Sequence, residues 1–168
     1  MPISAYSLKN LLCLSILIKI CLVLAIVLGF NFFPFNKTLH DLDFLCNKNE
    51  GITFQSAFKT WDAQHYLCLA RYGYPKEGMT IAFYPLYPFL IKICKVLFFN
   101  HAAICALALS NLFSLVAIAF FYFLTERLFD QKTAFIAGVM LLAFPTAFFM
   151  SLIYTEALFL MLVFIFFY

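Results

Sequence analysis

Charge is what this sequence has least of. Only 11% of its 168 residues are Asp, Glu, Lys or Arg, against about 25% in a soluble domain. So few charges cannot cover a water-facing surface, so lipid must solvate much of the chain. CxxC and HExxH are missing, and no His, Cys, Asp and Glu cluster has zinc-ligand spacing, so neither a metal nor another cofactor is expected. The net charge is only +3, with Lys and Arg scattered rather than run together. That excludes the basic footprint of a nucleic-acid binder. Internal repeats, low-complexity tracts and interdomain linkers are absent as well, which points to a single membrane domain over residues 1–168. The first apolar run lacks a small-residue cleavage site after Gly29 and reads as an uncleaved span rather than a signal peptide.

What is abundant is apolar side chain: 65% of residues are hydrophobic and 24 are Phe. A spanning helix needs about 20 apolar residues. Residues 14–33 meet that length with one exception, Lys19, which is expected to snorkel to the headgroups. Residues 102–123 form a second span and residues 134–153 a third, carrying Gly138 and Pro145. A fourth begins at Ala157 and stops at Tyr168, too short to cross, so the chain is expected to be cut short. The fold class is therefore an all-α polytopic membrane protein.

Residues 36–99 form a long first loop, read as facing outward. Its middle predicts a helix that begins near Thr53 or Thr60 and runs to Tyr72, with Gly73 as a left-handed cap and Pro75 as a stop. Phe58, Trp61, Leu69 and Tyr72 would share one side and Lys59, Asp62 and His65 the other, the pattern of a helix lying on a membrane surface. Residues 81–99 are apolar, but Pro85 and Pro88 interrupt them and Lys92 and Lys95 sit inside. That favours an interfacial or re-entrant helix. An interfacial segment puts this loop on the same side as the Tyr154–Thr155–Glu156 corner; a full span would separate them. Cys46 and Cys68 fall in the polar stretch and could pair if it faces an oxidising compartment. The other four cysteines read as packing residues.

Two acids stand out chemically. Asp62 is a carboxylate at a helix start among aromatics, able to take a proton from a hydroxyl, with His65 three residues on. Glu156 lies at a turn between apolar segments, where an acid needs a partner or water. Each has an ordinary alternative as a plain helix-start acid. Lys59, Arg71 and Lys76 suit phosphate oxygens, or balance the loop's acids. Asn36–Lys37–Thr38 is a glycosylation sequon, meaningful in a eukaryotic secretory setting.

The stretch Trp61-Asp62-Ala63-Gln64-His65-Tyr66-Leu67-Cys68-Leu69-Ala70-Arg71-Tyr72-Gly73-Tyr74, followed by Ala82-Phe83-Tyr84-Pro85-Leu86-Tyr87-Pro88, resembles the signature of the PIG-V family, mannosyltransferase-like enzymes of the GT-C class. That family's pattern runs roughly WDxxxYLxIAxxGY, then AFFPLYP. Phe144-Pro145 through Ser151-Leu152-Ile153-Tyr154-Thr155-Glu156-Ala157-Leu158-Phe159 is similar to its third element. Leu69 stands where Ile is usual and Tyr84 where Phe is.

The resemblance implies a GT-C-like helix bundle whose first outward loop carries interfacial helices. It implies a sugar, mannose above all, passed from a polyprenyl- or dolichyl-phosphate carrier to a glycan or glycolipid hydroxyl on the lumenal or periplasmic side. Asp62 would be the catalytic base. His65, Arg71, Lys76, Tyr154 and Glu156 would bind substrate, with the cations beside the leaving phosphate and Tyr154 and Glu156 lining the same pocket. The membrane would be the endoplasmic reticulum or a bacterial plasma membrane, with GPI-anchor synthesis the eukaryotic case. The competing readings are a non-catalytic membrane fragment, or a transporter-like protein marked by a charged or discontinuous helix at mid-membrane depth.

Overall fold

The computed structural model describes residues 5–43, 46, 51–96 and 99–168, without the side chains of Leu42 and Asp43. Lys48 and Glu50 of the polar stretch lie outside the described residues. Among those described, all regular structure is helical. Two helices, α1 (Leu8–Phe32) and α5 (Ala102–Leu128), are long and apolar enough to cross a membrane. Between them lie α2 (Lys37–Asp43), α3 (Asp62–Tyr72) and α4 (Leu86–Cys94); α6 (Gln131–Ala143) and α7 (Glu156–Phe167) follow.

The helix ends differ from the expected spans for local reasons. α1 starts at Leu8, not residue 14, because Leu8, Leu11 and Leu12 extend its apolar run and the Ser7 hydroxyl accepts the Asn10 N–H at 3.4 Å. α5 continues through Thr125, whose hydroxyl donates to the Phe121 carbonyl at 2.8 Å, so the polar turn shrinks. Asp130 then caps α6, accepting the Thr133 N–H at 2.9 Å and its hydroxyl at 2.8 Å. Those two bonds hold the Asp130 carboxyl below the usual carboxylate range.

The expected third span, 134–153, is not one helix. Pro145 disfavours helical backbone at the residue before it, and Phe144 is extended at φ −63° and ψ 136°. α6 stops at Ala143, and a 3-10 turn covers Ala147–Ser151. Its 13 residues reach about 20 Å, short of the ~30 Å hydrocarbon core.

The chain forms two compact units. One comprises the chain up to Leu24, Ser110–Ser151 and Thr155–Tyr168; the other comprises Ala25–Leu109 and Leu152–Tyr154. The core of the first joins Leu11, Ala117, Ile118, Tyr122, Ala134, Met150 and Ala157. Gly138 lets α6 close on α1: a Cβ there would overlap Leu11 Cδ2 and lie 3.0 Å from Cδ1. The Tyr122 hydroxyl donates to the Tyr6 carbonyl at 2.9 Å.

In the second unit α3 packs on α4. Ala63 and Ala70 of α3 are fully buried, and Tyr66 meets the rings of Phe83 and Tyr87 edge-on at 5.1 and 5.2 Å. The Tyr87 hydroxyl donates to the Ala106 carbonyl at 3.0 Å. α4 has 9 residues, about 13 Å, too short to cross a bilayer. α3 does not divide into the expected apolar and polar sides. Gln64 and His65 are buried, while Trp61 and Tyr72 are exposed. Packing on both sides of α3 decides this: His65 pairs with the Thr80 hydroxyl in the segment before α4, and Gln64 donates to the His40 carbonyl of α2. Cys46 and Cys68 form a disulfide with Cα atoms 5.9 Å apart, inside the usual range.

Candidate functional site

Asp62 opens α3 with an exposed side chain. The residue before it, Trp61, has φ 49° and ψ −128°. A positive φ on a bulky residue is an outlier, and such strain persists only where the surroundings over-determine it. The bracing is visible. The Thr60 carbonyl accepts the Ala63 N–H at 3.2 Å and the Tyr154 hydroxyl at 3.2 Å. The Trp61 carbonyl accepts the Gln64 N–H at 3.1 Å. Tyr154, from a segment about ninety residues downstream, thus holds the backbone that presents Asp62. At the other end of α3, Gly73 takes φ 80° and its N–H bonds the Leu69 carbonyl at 2.9 Å.

His65 lies underneath rather than at the surface. Its Nδ1 is 3.1 Å from the Thr80 hydroxyl, and its ring stacks on Phe83 at 4.4 Å and 14°. It therefore ties the Trp61–Tyr74 motif to the Ala82–Pro88 motif. Lys76 is exposed in the loop after α3.

Arg71 lies nine positions after Asp62 on α3. At 100° and 1.5 Å per residue this is the opposite side of the helix, about 13 Å along it. The structure does not bring Arg71 beside the Asp62 carboxylate. Its guanidinium lies 5.3 Å over the Tyr72 ring. It also lines a cleft of about 290 Å³ with Lys59, Lys95, His101 and Gln64. Four basic side chains make that cleft suited to negative charge.

Glu156 is the first residue of α7, where the helix dipole favours a carboxylate, and it belongs to the other unit. Among the described residues, no three of His, Cys, Asp and Glu are grouped to hold a metal ion. Two features escaped the sequence reading: the Trp61 backbone, which no residue pattern marks, and the setting of Lys19. Lys19 was visible as a charge in an apolar run, but its depth depends on where α1 begins.

The chain thus displays an acid at a braced helix start and carries two helices long and apolar enough to cross a membrane. The family described as Mannosyltransferase (PIG-V) matches residues 9–168 of the chain. The chain belongs to that family, which makes it a glycosyltransferase by class. No curated protein and no solved structure matches it.

Proposed function

We propose that the chain is embedded in a membrane and transfers mannose from a polyprenyl- or dolichyl-phosphate carrier to a hydroxyl of a lipid-linked or glycan acceptor, with Asp62 as general base. The acceptor hydroxyl gives its proton to the Asp62 carboxylate while its oxygen attacks the anomeric carbon. The bond from that carbon to the phosphate oxygen breaks, and its electron pair leaves on the phosphate, so no acid need protonate the leaving group.

The observation that carries this reading is the strained Trp61 backbone directly before an exposed carboxylate, held by a tyrosine from the third motif. Strain with such bracing is what preorganised sites store. Family membership supplies the reaction class. Membrane embedding is supported by α1, where Ile16, Leu17, Ile20, Leu24 and Leu28 are each exposed and need an apolar solvent. The Cys46–Cys68 bond supports an outward, oxidising side for its loop, lumenal or periplasmic.

In this scheme the cleft around Arg71 and Lys59 holds negative charge away from the base, and His65 positions the loop beneath it. Lys76, exposed in the same unit as Asp62, binds substrate. The test is Asp62→Asn in membranes supplied with a mannosyl-phosphate lipid. Transfer is expected to vanish at unchanged expression; turnover near the wild-type rate rules Asp62 out. A transporter-like reading gains one observation, the lysine within α1. Substrate flux in reconstituted vesicles distinguishes it.

A further inference from the structure

Lys59, Arg71 and Lys95 meet in the cleft of about 290 Å³. Under the proposed function, on which this step rests, the donor's phosphate is bonded to the carbon under attack and so lies beside Asp62. Arg71 is nine residues from Asp62, about 13 Å along α3. The negative charge that suits this cleft is therefore not the leaving phosphate but one carried by a second molecule.

Three elements converge on the cleft. α5 presents its first turn there, Ala102, Ala103 and Ile104. The N–H groups of a first turn have no partner inside their own helix, and they form the positive end of its dipole. α5 has no acid in that turn to meet them. The Asn100 N–H bonds the Lys95 carbonyl at 2.9 Å, which folds the end of α4 back toward the start of α5.

Gln64 of α3 lines the cleft as well and is 5% exposed. Its Nε2 donates to the His40 carbonyl at 3.2 Å. That carbonyl can only accept, so the amide cannot be turned round. Oε1 is left with no hydrogen-bond partner among the described residues, a destabilising state for a buried acceptor. A bare oxyanion such as sulfate offers acceptors only and would leave Oε1 as it is. A fitting ligand brings a donor beside its charge. Gln55 and Asn100 add two further amides to the lining, each donor and acceptor at once, as hydroxyls are.

We propose that this cleft binds an acidic sugar, a ring that carries a carboxylate or phosphate group together with free hydroxyls. Arg71, Lys59, Lys95 and the first turn of α5 hold the acid, and Gln64 Oε1 accepts from a hydroxyl. The volume lies just below the ~300 Å³ at which drug-sized pockets begin, room for one ring and its acid. The chain belongs to a sugar-transferring family, so the ligand that fits is an acidic unit of the acceptor, held away from the reacting hydroxyl. No bond is made or broken here.

Calorimetric titration of the full chain in detergent micelles tests this. The probes are glucuronate, mannose phosphorylated on its primary hydroxyl, glucose, cyclohexanecarboxylate and inorganic phosphate. At least one of the two acidic sugars should bind, and the tighter of them names the oxyanion. Glucose lacks the charge, and cyclohexanecarboxylate and inorganic phosphate lack the sugar hydroxyls; each should bind at least about tenfold more weakly. Arg71→Leu and Lys95→Met should each weaken the acidic sugar about tenfold. Should Arg71→Leu fail to fold, Lys95→Met and the ligand series decide. A mannosyl-phosphate lipid should not displace the bound acidic sugar. The proposal is overturned if neither acidic sugar binds, if any of the other three probes binds as tightly, if the variants bind as wild type, or if the donor lipid displaces the sugar. Asp62→Asn should bind as wild type, which separates failure of this inference from failure of the transferase reading.

Discussion

Replacing Trp61 with alanine and, separately, with glycine isolates the backbone strain at the site. Both variants lose the same indole, 58% exposed in the native chain, so the ring's contribution cancels in the comparison. What remains is the cost of φ 49°. Strain of this kind costs a non-glycine residue about 1–3 kcal/mol, and glycine is free of it. Glycine gives back about 0.5–1 kcal/mol through its larger unfolded-state entropy. The glycine variant should therefore be the more stable by about 1 kcal/mol, or about fivefold in the folding equilibrium. That sign is the reverse of the ordinary alanine-over-glycine order within helices. Unfolding free energies by steric trapping in bicelles read the difference directly. Transfer should move the other way, with the glycine variant slower, because a freed backbone no longer fixes Asp62 and small misplacements cost up to about a hundredfold. An alanine variant as stable as the glycine variant, or more so, would refute the strain argument and with it the main structural support for Asp62.

Tyr154→Phe removes the 3.2 Å bond to the Thr60 carbonyl. It should cost about 1 kcal/mol and slow transfer; stability and rate both at wild-type values would show that the brace does nothing. Alkylating the unfolded, unreduced protein should label four of its six cysteines, Cys13, Cys21, Cys94 and Cys105. Labelling of all six would remove the Cys46–Cys68 bond. That bond closes 22 residues, so Cys68→Ser should destabilise by about 3 kcal/mol on the loop-entropy account. Gly138→Ala drives a methyl into the fully buried Leu11. It should cost about 1–3 kcal/mol from overpacking, less up to about 1 kcal/mol of gained helix propensity. Adding Leu11→Ala should destabilise less than the two separate losses summed, and strict additivity would show that these residues do not touch.

Asp62 carries the proposed chemistry, while several residues of its motifs make contacts within the protein. Tyr154 holds Thr60, His65 holds Thr80 and Phe83, and Ala63 and Ala70 let α3 and α4 approach. These contacts tie the start of α3 to the segments that carry the other two motifs.

Composition and periodicity determined the apolar, helical character of this chain, because 65% hydrophobic residues leave few other ways to satisfy backbone amides away from water. They placed α3, its end at Gly73 and its stop at Pro75, since glycine and proline act through their own backbone geometry. Residue type and position marked Asp62, Glu156 and Arg71 as chemically notable, and the family resemblance added Tyr154. Which way each side chain points was a matter for tertiary packing. His65 turns inward, and Lys19 finds Ser151 132 positions along the chain. Hydrogen bonds between residues so far apart leave no local pattern. The φ of Trp61 is likewise imposed by partners that only the folded chain brings together.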